Sequence, residues 1–313
     1  MNPTINTQSL SKNFGRTTAV DNITLAVPEG SIYALVGPNG AGKTTLIKLL
    51  MNILRPNAGT AKVLGVDSSK VGGSFFNRIG YVSENQELPE GMTVGGMLDY
   101  FRAFYPTWDR TLEEQLVRQF DLPLKRKLKH LSRGMKMKAS FASSLAYRPS
   151  LIILDEPFSG LDPLVRDELI EGLIERAPET TIFLSSHDLA EIESFSSHVG
   201  YLQQGRLLFS EEMTTLSNRF RAVTVTLASP APLPRDLPAA WLEAETVDCV
   251  LRFVQSDFKE EGSARELAGR FPTARAIDFE PMSLRQIFLA IAKSGRDSVA
   301  SSARKENAEE KKA

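Results

Sequence analysis

One short segment constrains this 313-residue chain more than any other, the octet GPNGAGKT at residues 37–44. It matches the pattern G-x-x-x-x-G-K-[ST], and it lies between the apolar run IYALV at 32–36 and TLIKLLMNIL at 45–54, whose apolar residues recur at helical spacing. Glycines at these positions let backbone N–H groups turn inward toward phosphate oxygens, and the following helix adds the positive end of its dipole. The segment therefore predicts a strand, a phosphate-binding loop and a helix in succession.

Two side chains of this loop indicate what it binds. Lys43 is expected to reach the β- and γ-phosphates of a nucleotide, and the Thr44 hydroxyl is a hard oxygen ligand suited to Mg²⁺. A glycine-rich turn without a ligand is the alternative, but the flanking strand and helix favour nucleotide binding. The expected ligands are ATP and Mg²⁺. The expected nucleotide-binding residues of the loop are Gly37, Pro38, Asn39, Gly40, Ala41, Gly42, Lys43, Thr44 and Thr45.

A second segment predicts the hydrolytic half of the site. The run LIILDE at 151–156 ends a buried strand in two carboxylates. Asp155 is expected to hold Mg²⁺ through its water shell, and Glu156 is expected to polarise the attacking water. Paired acids after a strand can also act only as a strand cap, but their occurrence together with the octet at 37–44 favours the functional interpretation.

The patterning along the chain predicts two folded parts. Through residues 1–212, short apolar runs alternate with helical patterns, which is typical of an α/β fold with strands buried between helices. A helical insertion is expected at about 85–145, because strand signals are absent from most of it. Residues 213–293 are expected to form a small α+β domain. The polar and charged segment 294–313 is expected to be disordered.

Individual elements follow from the same patterns. Further strands are predicted at 151–154, 181–186, 222–228, 246–254 and 274–280, and further helices near 263–270 and over 283–293. The aromatic residues of the insertion are expected to pack mostly in the core; they are Tyr100, Phe101, Phe104, Tyr105 and Trp108. Cys249 is expected to be an inert, buried strand residue.

Composition excludes several classes of function. Lys and Arg total 37 against 38 Asp and Glu, so the formal net charge is −1 and gives no electrostatic case for direct nucleic-acid binding. One cysteine rules out an internal disulfide and a four-cysteine zinc site. No stretch approaches the roughly 20 apolar residues that a spanning helix needs, and the first residues lack the apolar core of a signal peptide. We therefore expect a chain that does not cross a membrane by itself.

Over residues 4 to about 212, the chain resembles the nucleotide-binding subunit of an ATP-binding cassette (ABC) transporter. LSRGM at 131–135 resembles the LSGGQ signature, which separates ABC proteins from other P-loop ATPases. SGLD at 159–162 resembles the D-loop, and His187 in LSSHDLAEIES lies where the switch histidine belongs. Phe14 in SKNFG matches the aromatic residue that stacks on adenine.

The resemblance implies a fold, a mechanism and partners. The fold would be a P-loop NTPase cassette of the ABC type with a helical subdomain insertion. Two cassettes would pair head to tail, most simply as a homodimer, so that Ser132 and Gly134 of one contact the γ-phosphate bound by the other. His187 would sense the γ-phosphate, and Asp162 would link the two sites. In this family the helical insertion receives the coupling helix of the membrane subunit.

The chain departs from the family pattern in two places. In the signature, Arg133 replaces the first of the paired glycines and Met135 replaces the glutamine. In GYVSEN, Glu84 lies where a glutamine normally contacts Mg²⁺ and the attacking water. Since a carboxylate can also ligate Mg²⁺, the hypothesis is that Glu84 takes over this catalytic and metal-binding role.

Three functions are consistent with these features. The favoured one is an ATPase motor that drives a separate membrane permease from the cytoplasmic face of a bacterial membrane. FYPTWD, LSRGMKMK and MSLRQIF resemble a bacterial subset that pairs with type-2 export permeases. A soluble ABC ATPase acting on nucleic acid or ribosomes is the alternative, disfavoured by the single cassette and even charge. A regulatory module that binds ATP without turnover is disfavoured because Lys43, Asp155, Glu156 and His187 are all present.

Overall fold

The computed structural model describes residues 3–234 and 236–293, and these form two compact units that divide between Glu211 and Glu212. The strands that lie in or begin in the first unit are β1 (Ile5–Phe14), β2 (Thr17–Val27), β3 (Ile32–Val36), β4 (Ala58–Val63), β5 (Val66–Asp67), β6 (Ile79–Ser83), β7 (Leu151–Asp155), β8 (Thr181–Ser186), β9 (His198–Gln203) and β10 (Arg206–Glu212). Its helices are α1 (Lys43–Leu50), α2 (Val94–Arg102), α3 (Arg110–Gln119), α4 (Arg133–Leu145), α5 (Pro163–Arg176) and α6 (Leu189–Ile192).

A six-stranded sheet in the order β10-β9-β3-β8-β7-β6 forms the centre of the first unit. The strands from β9 to β6 run parallel to one another. Every residue of β3, β7 and β8 is buried, which is why each of these strands contains an uninterrupted apolar run. The three strands confirm the α/β prediction. Because parallel strands end at the same edge, the segments after β3, β6, β7 and β8 meet there.

A second sheet of the first unit was not predicted from the sequence. It is antiparallel, in the order β2-β1-β4-β5. Its pairing is interrupted by register shifts, including one between Thr7 and Leu10, and Ser9 has a φ of 48°. These irregularities break the strict alternation by which a half-buried strand is recognised. Ile5, Leu10, Val20 and Ile23 from this sheet lie in the same core cluster as Leu46 of α1.

Helix α1 is shorter than its apolar pattern suggested. The helix predicted at 45–54 begins at Lys43 and ends at Leu50. Asn52 takes a left-handed φ of 56°, and the N–H of Ile53 donates to the carbonyl of Lys48 at 2.9 Å, which closes the helix as a Schellman motif. Ile53 therefore leaves the apolar face and is exposed.

The predicted insertion contains α2, α3 and α4, with a short 3₁₀ turn at Leu128–His130. The expectation that its aromatic residues pack mostly in the core is wrong, since Tyr100 and Phe104 are exposed and Phe101, Tyr105 and Trp108 are only partly buried. Phe104 lies beyond the end of α2 and therefore does not share its buried stripe. None of the helices in the described part of the chain has the length and apolar character needed to cross a membrane.

The second unit is an antiparallel sheet with helices. Its elements are α7 (Met213–Arg219), β11 (Arg221–Leu227), β12 (Trp241–Val247), β13 (Val250–Gln255), α8 (Glu260–Arg270), β14 (Ala274–Pro281) and a helix over 284–293. The strand order is β12-β13-β11-β14. The single strand predicted at 246–254 is wrong, because Asp248 and Cys249 form a turn between β12 and β13. Cys249 is therefore a partly exposed turn residue. The segment predicted to be disordered, 294–313, lies outside the described residues.

Candidate nucleotide-binding and hydrolysis site

The loop after β3 has the glycines that its path requires. The N–H of Gly37 donates to the carbonyl of Ser186 at 3.2 Å, which fixes the loop to the end of β8. A Cβ atom on Gly37 would overlap the carbonyl oxygen of Leu202, and one on Gly42 would overlap that of Ala19. Gly42 also has a φ of 107° and directly precedes α1. Side chains at these two positions would therefore displace the loop from its supports.

Lys43 is buried beneath this loop and fully partnered. Its Nζ donates to the carbonyl oxygens of Gly37 at 2.6 Å and Pro38 at 3.2 Å. It also forms an ion pair with Glu156 Oε1 at 3.0 Å, with side-chain exposures of 6% and 14%. A buried ammonium needs such partners, because desolvation would otherwise disfavour its charge. The loop and the acidic segment after β7 are thus joined by one cation.

Two of the three predicted metal ligands, Thr44 and Asp155, lie next to each other. Thr44 Oγ1 donates to Asp155 Oδ1 at 3.1 Å, and the Ser185 hydroxyl donates to the same oxygen at 2.7 Å. Among the described residues there is no group of three or more His, Cys, Asp or Glu side chains that could hold a metal ion. One hydroxyl and one carboxylate are the donor set that suits Mg²⁺, which usually keeps several waters and substrate phosphates as its other ligands.

Glu156 and His187 meet at the edge of the sheet. Glu156 Oε2 lies 2.7 Å from His187 Nδ1. The hydrogen bond to the Glu156 carboxylate, together with its charge, raises the pKa of His187. Glu156 has a left-handed φ of 51°, and its N–H donates to Ser185 Oγ at 3.0 Å. The structure therefore links Lys43, Glu156 and His187 in one buried-to-surface series.

The signature segment opens α4. Ser132 is its N-cap, and its Oγ accepts the N–H of Met135 at 3.2 Å. The helix begins at Arg133, directly after this cap. Gly134 packs closely against α5, since a Cβ atom there would lie 2.9 Å from Val165 Cγ1. This glycine is therefore needed for packing within the chain.

Glu84 follows β6 and has partners that the sequence did not indicate. Its Oε1 accepts hydrogen bonds from Arg133 Nη2 at 2.5 Å and from Ser159 Oγ at 3.0 Å. Its backbone N–H donates to the carbonyl of Asp155 at 2.9 Å. Glu84 thus lies beside the expected metal site, while its carboxylate contacts the signature and the SGLD segment.

The remaining sequence candidates are Asp162 and Phe14. Asp162 caps α5 by accepting the N–H of Leu164 at 2.9 Å. Phe14 ends β1 with 48% of its surface exposed, and Lys12 Nζ lies 5.4 Å from its ring centroid. Ser185 and Ser159, which hold Asp155, Glu156 and Glu84, were missed, because a serine has no local signal for such a tertiary contact.

The chain is similar to several known proteins. The family model described as ABC transporter matches residues 20–159. ABC transporter ATP-binding protein YtrB of Bacillus subtilis is 27% identical over 289 residues, covering 91% of this chain and 97% of that protein. Bacitracin transport ATP-binding protein BcrA of Enterococcus faecalis is 34% identical over 224 residues, covering 70% and 73%. A solved ATP-binding subunit of an ABC transporter superimposes with a TM-score of 0.62 and 29% identity, covering 68% of this chain and 91% of that one.

The chain belongs to the ABC transporter ATP-binding protein family. A cassette solved as a dimer in a post-hydrolysis state with ADP and Pi shares its fold, with a TM-score of 0.60 and 20% identity, covering 67% of this chain and 98% of that one. The protein is thus an ATP-binding, ATP-hydrolysing subunit of an ABC transporter, and the predicted cassette fold is confirmed.

Proposed function

We propose that the protein is the motor of an exporter, acting from the cytoplasmic face of a bacterial membrane on a separate permease. The observation that carries the catalytic part is the connected series Lys43–Glu156–His187 at the mouth of the glycine-rich loop. The direction of transport is inferred from relatives whose names concern bacitracin transport, lantibiotic transport and daunorubicin/doxorubicin resistance. The cargo would be selected by the permease.

Each loop residue has a role in binding ATP. The backbone N–H groups of Gly37 to Thr45 would hold the phosphates, and Lys43 would exchange its carbonyl partners for β- and γ-phosphate oxygens. Thr44 and Asp155 would hold Mg²⁺, which neutralises phosphate charge when bound. Glu84 is proposed as a further ligand. Phe14 would stack its exposed ring face on the adenine.

Glu156 is proposed as the general base. Its carboxylate would orient the attacking water and accept a proton from it as the water attacks the γ-phosphorus, while the bond from that phosphorus to the β–γ bridging oxygen breaks and ADP leaves. Lys43 and His187 hold the two oxygens of this carboxylate at 3.0 and 2.7 Å, which limits its rotation. His187 would donate a hydrogen bond to the γ-phosphate, so that its position depends on whether ATP or ADP is bound.

The second half of the site would come from another cassette, most simply a second copy of this chain. Ser132 and Gly134 at the N-terminus of α4 would approach the γ-phosphate bound by the partner. Asp162 would connect the two sites. We do not expect direct nucleic-acid binding, since the charges balance at −1. This arrangement assigns residues 1–212 to the cassette and 213–293 to an accessory domain.

The permease would dock on the insertion at about 85–145. The exposed aromatic residues Tyr100 and Phe104 line a groove together with Phe76 and Tyr105. Exposed aromatic rings rimmed by polar groups are typical of protein-binding surfaces. This groove suits an amphipathic helix that presents apolar side chains.

Light scattering tests the motor hypothesis. The Glu156→Gln variant should be a monomer without nucleotide and a dimer with ATP in the absence of Mg²⁺, because bound ATP would join the two cassettes without being hydrolysed. Addition of ADP should leave a monomer. A variant that binds ATP and stays monomeric would contradict the homodimer while leaving the ATPase assignment intact.

A further inference from the structure

Two of the three residues at which the chain departs from the family pattern, Arg133 and Glu84, contact each other. Arg133, from the signature, donates to Glu84, from the segment after β6, at 2.5 Å. The hydroxyl of Ser159 donates to the same carboxylate oxygen at 3.0 Å. Two donors from separate segments therefore share one oxygen of Glu84. We call Glu84, Arg133, Ser159 and Gly160 the Glu84 junction.

Gly160 leaves room for the Arg133 side chain. It has a left-handed φ of 64°, and a Cβ atom there would lie 3.2 Å from Nη1 of Arg133. The guanidinium thus lies against bare backbone of the SGLD segment while it bonds Glu84. The arrangement joins three segments that are each expected to contact nucleotide or the second cassette.

The Glu84 junction lies beside the proposed metal site. In the pairing of β6 with β7, Ser83 is opposite Asp155, and the next N–H, that of Glu84, donates to the Asp155 carbonyl at 2.9 Å. Asp155 in turn accepts the Thr44 hydroxyl. The positively charged guanidinium of Arg133 therefore contacts the carboxylate of Glu84, which is next to the place where Mg²⁺ would bind.

We propose that Arg133 is a positioning residue for Glu84, and that its ion pair competes with a divalent cation for the Glu84 carboxylate. The proposal rests on the proposed function, in which Glu84 is a metal ligand. A carboxylate oxygen that accepts a guanidinium N–H and a hydroxyl has less capacity for a cation, and the guanidinium charge repels that cation directly. Arg133 thereby sets how tightly this site holds its metal.

Mn²⁺ is a suitable probe, because it prefers the same oxygen ligands as Mg²⁺ and its unbound form is measured by electron paramagnetic resonance. The measurement uses the full chain saturated with a non-hydrolysable ATP analogue, so that no turnover enters the readout. Arg133→Gln is expected to bind Mn²⁺ about two- to fivefold more tightly than the unchanged protein, the range for a half-exposed ion pair.

The same substitution in the Glu84→Gln background is expected to have no effect on Mn²⁺ affinity, because the carboxylate through which Arg133 acts is gone. Arg133→Lys keeps the charge and should stay within about twofold of the unchanged protein. Arg126→Gln is the matched control, since Arg126 also contacts the start of α4, at Met135 Sδ, 4.0 Å away. It removes one arginine without touching Glu84 and should change nothing.

Three results would overturn the inference while the protein still binds the analogue with Mn²⁺. They are unchanged affinity in Arg133→Gln, equal tightening with and without Glu84, and equal tightening in Arg126→Gln. An unchanged protein that binds neither the analogue nor Mn²⁺ would instead contradict the proposed function and this inference together. Thermal unfolding of each variant identifies any that fails to fold; if Arg133→Gln does, Arg133→Met, which also removes the charge, takes its place in both backgrounds.

Discussion

Two charged clusters at the same edge of the sheet differ in how they are built. The Lys43–Glu156–His187 series is largely buried, with Lys43 and Glu156 side chains only 6% and 14% exposed. The Glu84 junction is half-exposed, with the Arg133 side chain at 48%. Removing a partner from a buried pair leaves an uncompensated charge, whereas solvent screens an exposed one. The first cluster should therefore be required for function, and the second should adjust it.

The largest effect is expected from Lys43→Ala. Nucleotide affinity should fall by on the order of 100-fold, because the phosphates lose a buried cation and Glu156 loses one of its two partners. Calorimetric titration with ATP measures the change. Lys48→Ala is the control, since it removes an exposed cation from the same helix, and ATP binding should be unaffected. Tight ATP binding by Lys43→Ala would disprove the central role of this series.

Glu156→Gln is expected to keep ATP affinity and to lower the hydrolysis rate by roughly 100- to 10,000-fold, the usual range for a general base. A phosphate-release assay at saturating ATP gives the rate. The neutral amide keeps the size of the side chain, so loss of shape is not the cause. Hydrolysis at the normal rate would show that the base lies elsewhere.

Two serine-to-alanine substitutions compare the clusters, because each removes the same group, one hydroxyl, from a different cluster. Ser185→Ala removes a fully buried hydroxyl that bonds Asp155 Oδ1 and the Glu156 N–H, and should destabilise the chain by about 1–3 kcal/mol. Ser159→Ala removes one of the two donors to the Glu84 carboxylate and leaves the other, Arg133. It should lower the free energy of unfolding by less than about 1 kcal/mol. Chemical denaturation measures both. Equal losses would mean that burial is not what separates the clusters.

Whether a feature could be predicted from the sequence depends on whether the residues that form it are close together along the chain. The strand, loop and helix around Lys43 were predictable because a phosphate-binding turn needs its residues at fixed spacing. The hairpin at Asp248 and Cys249 was missed, since the apolar pattern runs on through the turn; its signal was Asp248, whose φ is 52° and whose residue type tolerates that conformation. The contact of Glu84 with Arg133 joins positions 49 residues apart, which spacing cannot reveal.

One of the relatives matches both units of the chain. The alignment with YtrB spans 289 residues, more than the first unit contains, so it extends into the second unit. In the second unit, Trp241 stacks on Phe253 with ring centroids 3.9 Å apart, within a core of its own. The cassette was predictable from its chemistry, while the second unit, which lacks comparable motifs, was predictable only from its patterning.

The smallest predicted effect concerns pH and His187. Glu156 raises the pKa of His187 in the folded chain, so folding favours the protonated imidazole. The contribution to stability is therefore fully present below the unfolded pKa of about 6.5, and it is lost as the pH rises through the higher folded pKa. Because the imidazole is 42% exposed, solvent screening keeps it under about 1 kcal/mol.

The measurement is the difference in Tm between the unchanged protein and His187→Gln, followed from pH 5.5 to pH 9. The difference should be largest at the acidic end and close as the imidazole deprotonates. His130→Gln, which removes an exposed imidazole of the 3₁₀ turn, is the control with which the His187→Gln curve is compared. If the difference in Tm between the unchanged protein and His187→Gln increased with rising pH, the contact with Glu156 would favour the neutral imidazole, the opposite of the predicted sign. Glu156 would then accept a hydrogen bond from a neutral imidazole. The charge–charge interaction of the series would in that case be confined to the buried pair of Lys43 and Glu156, and would not extend to His187 at the surface.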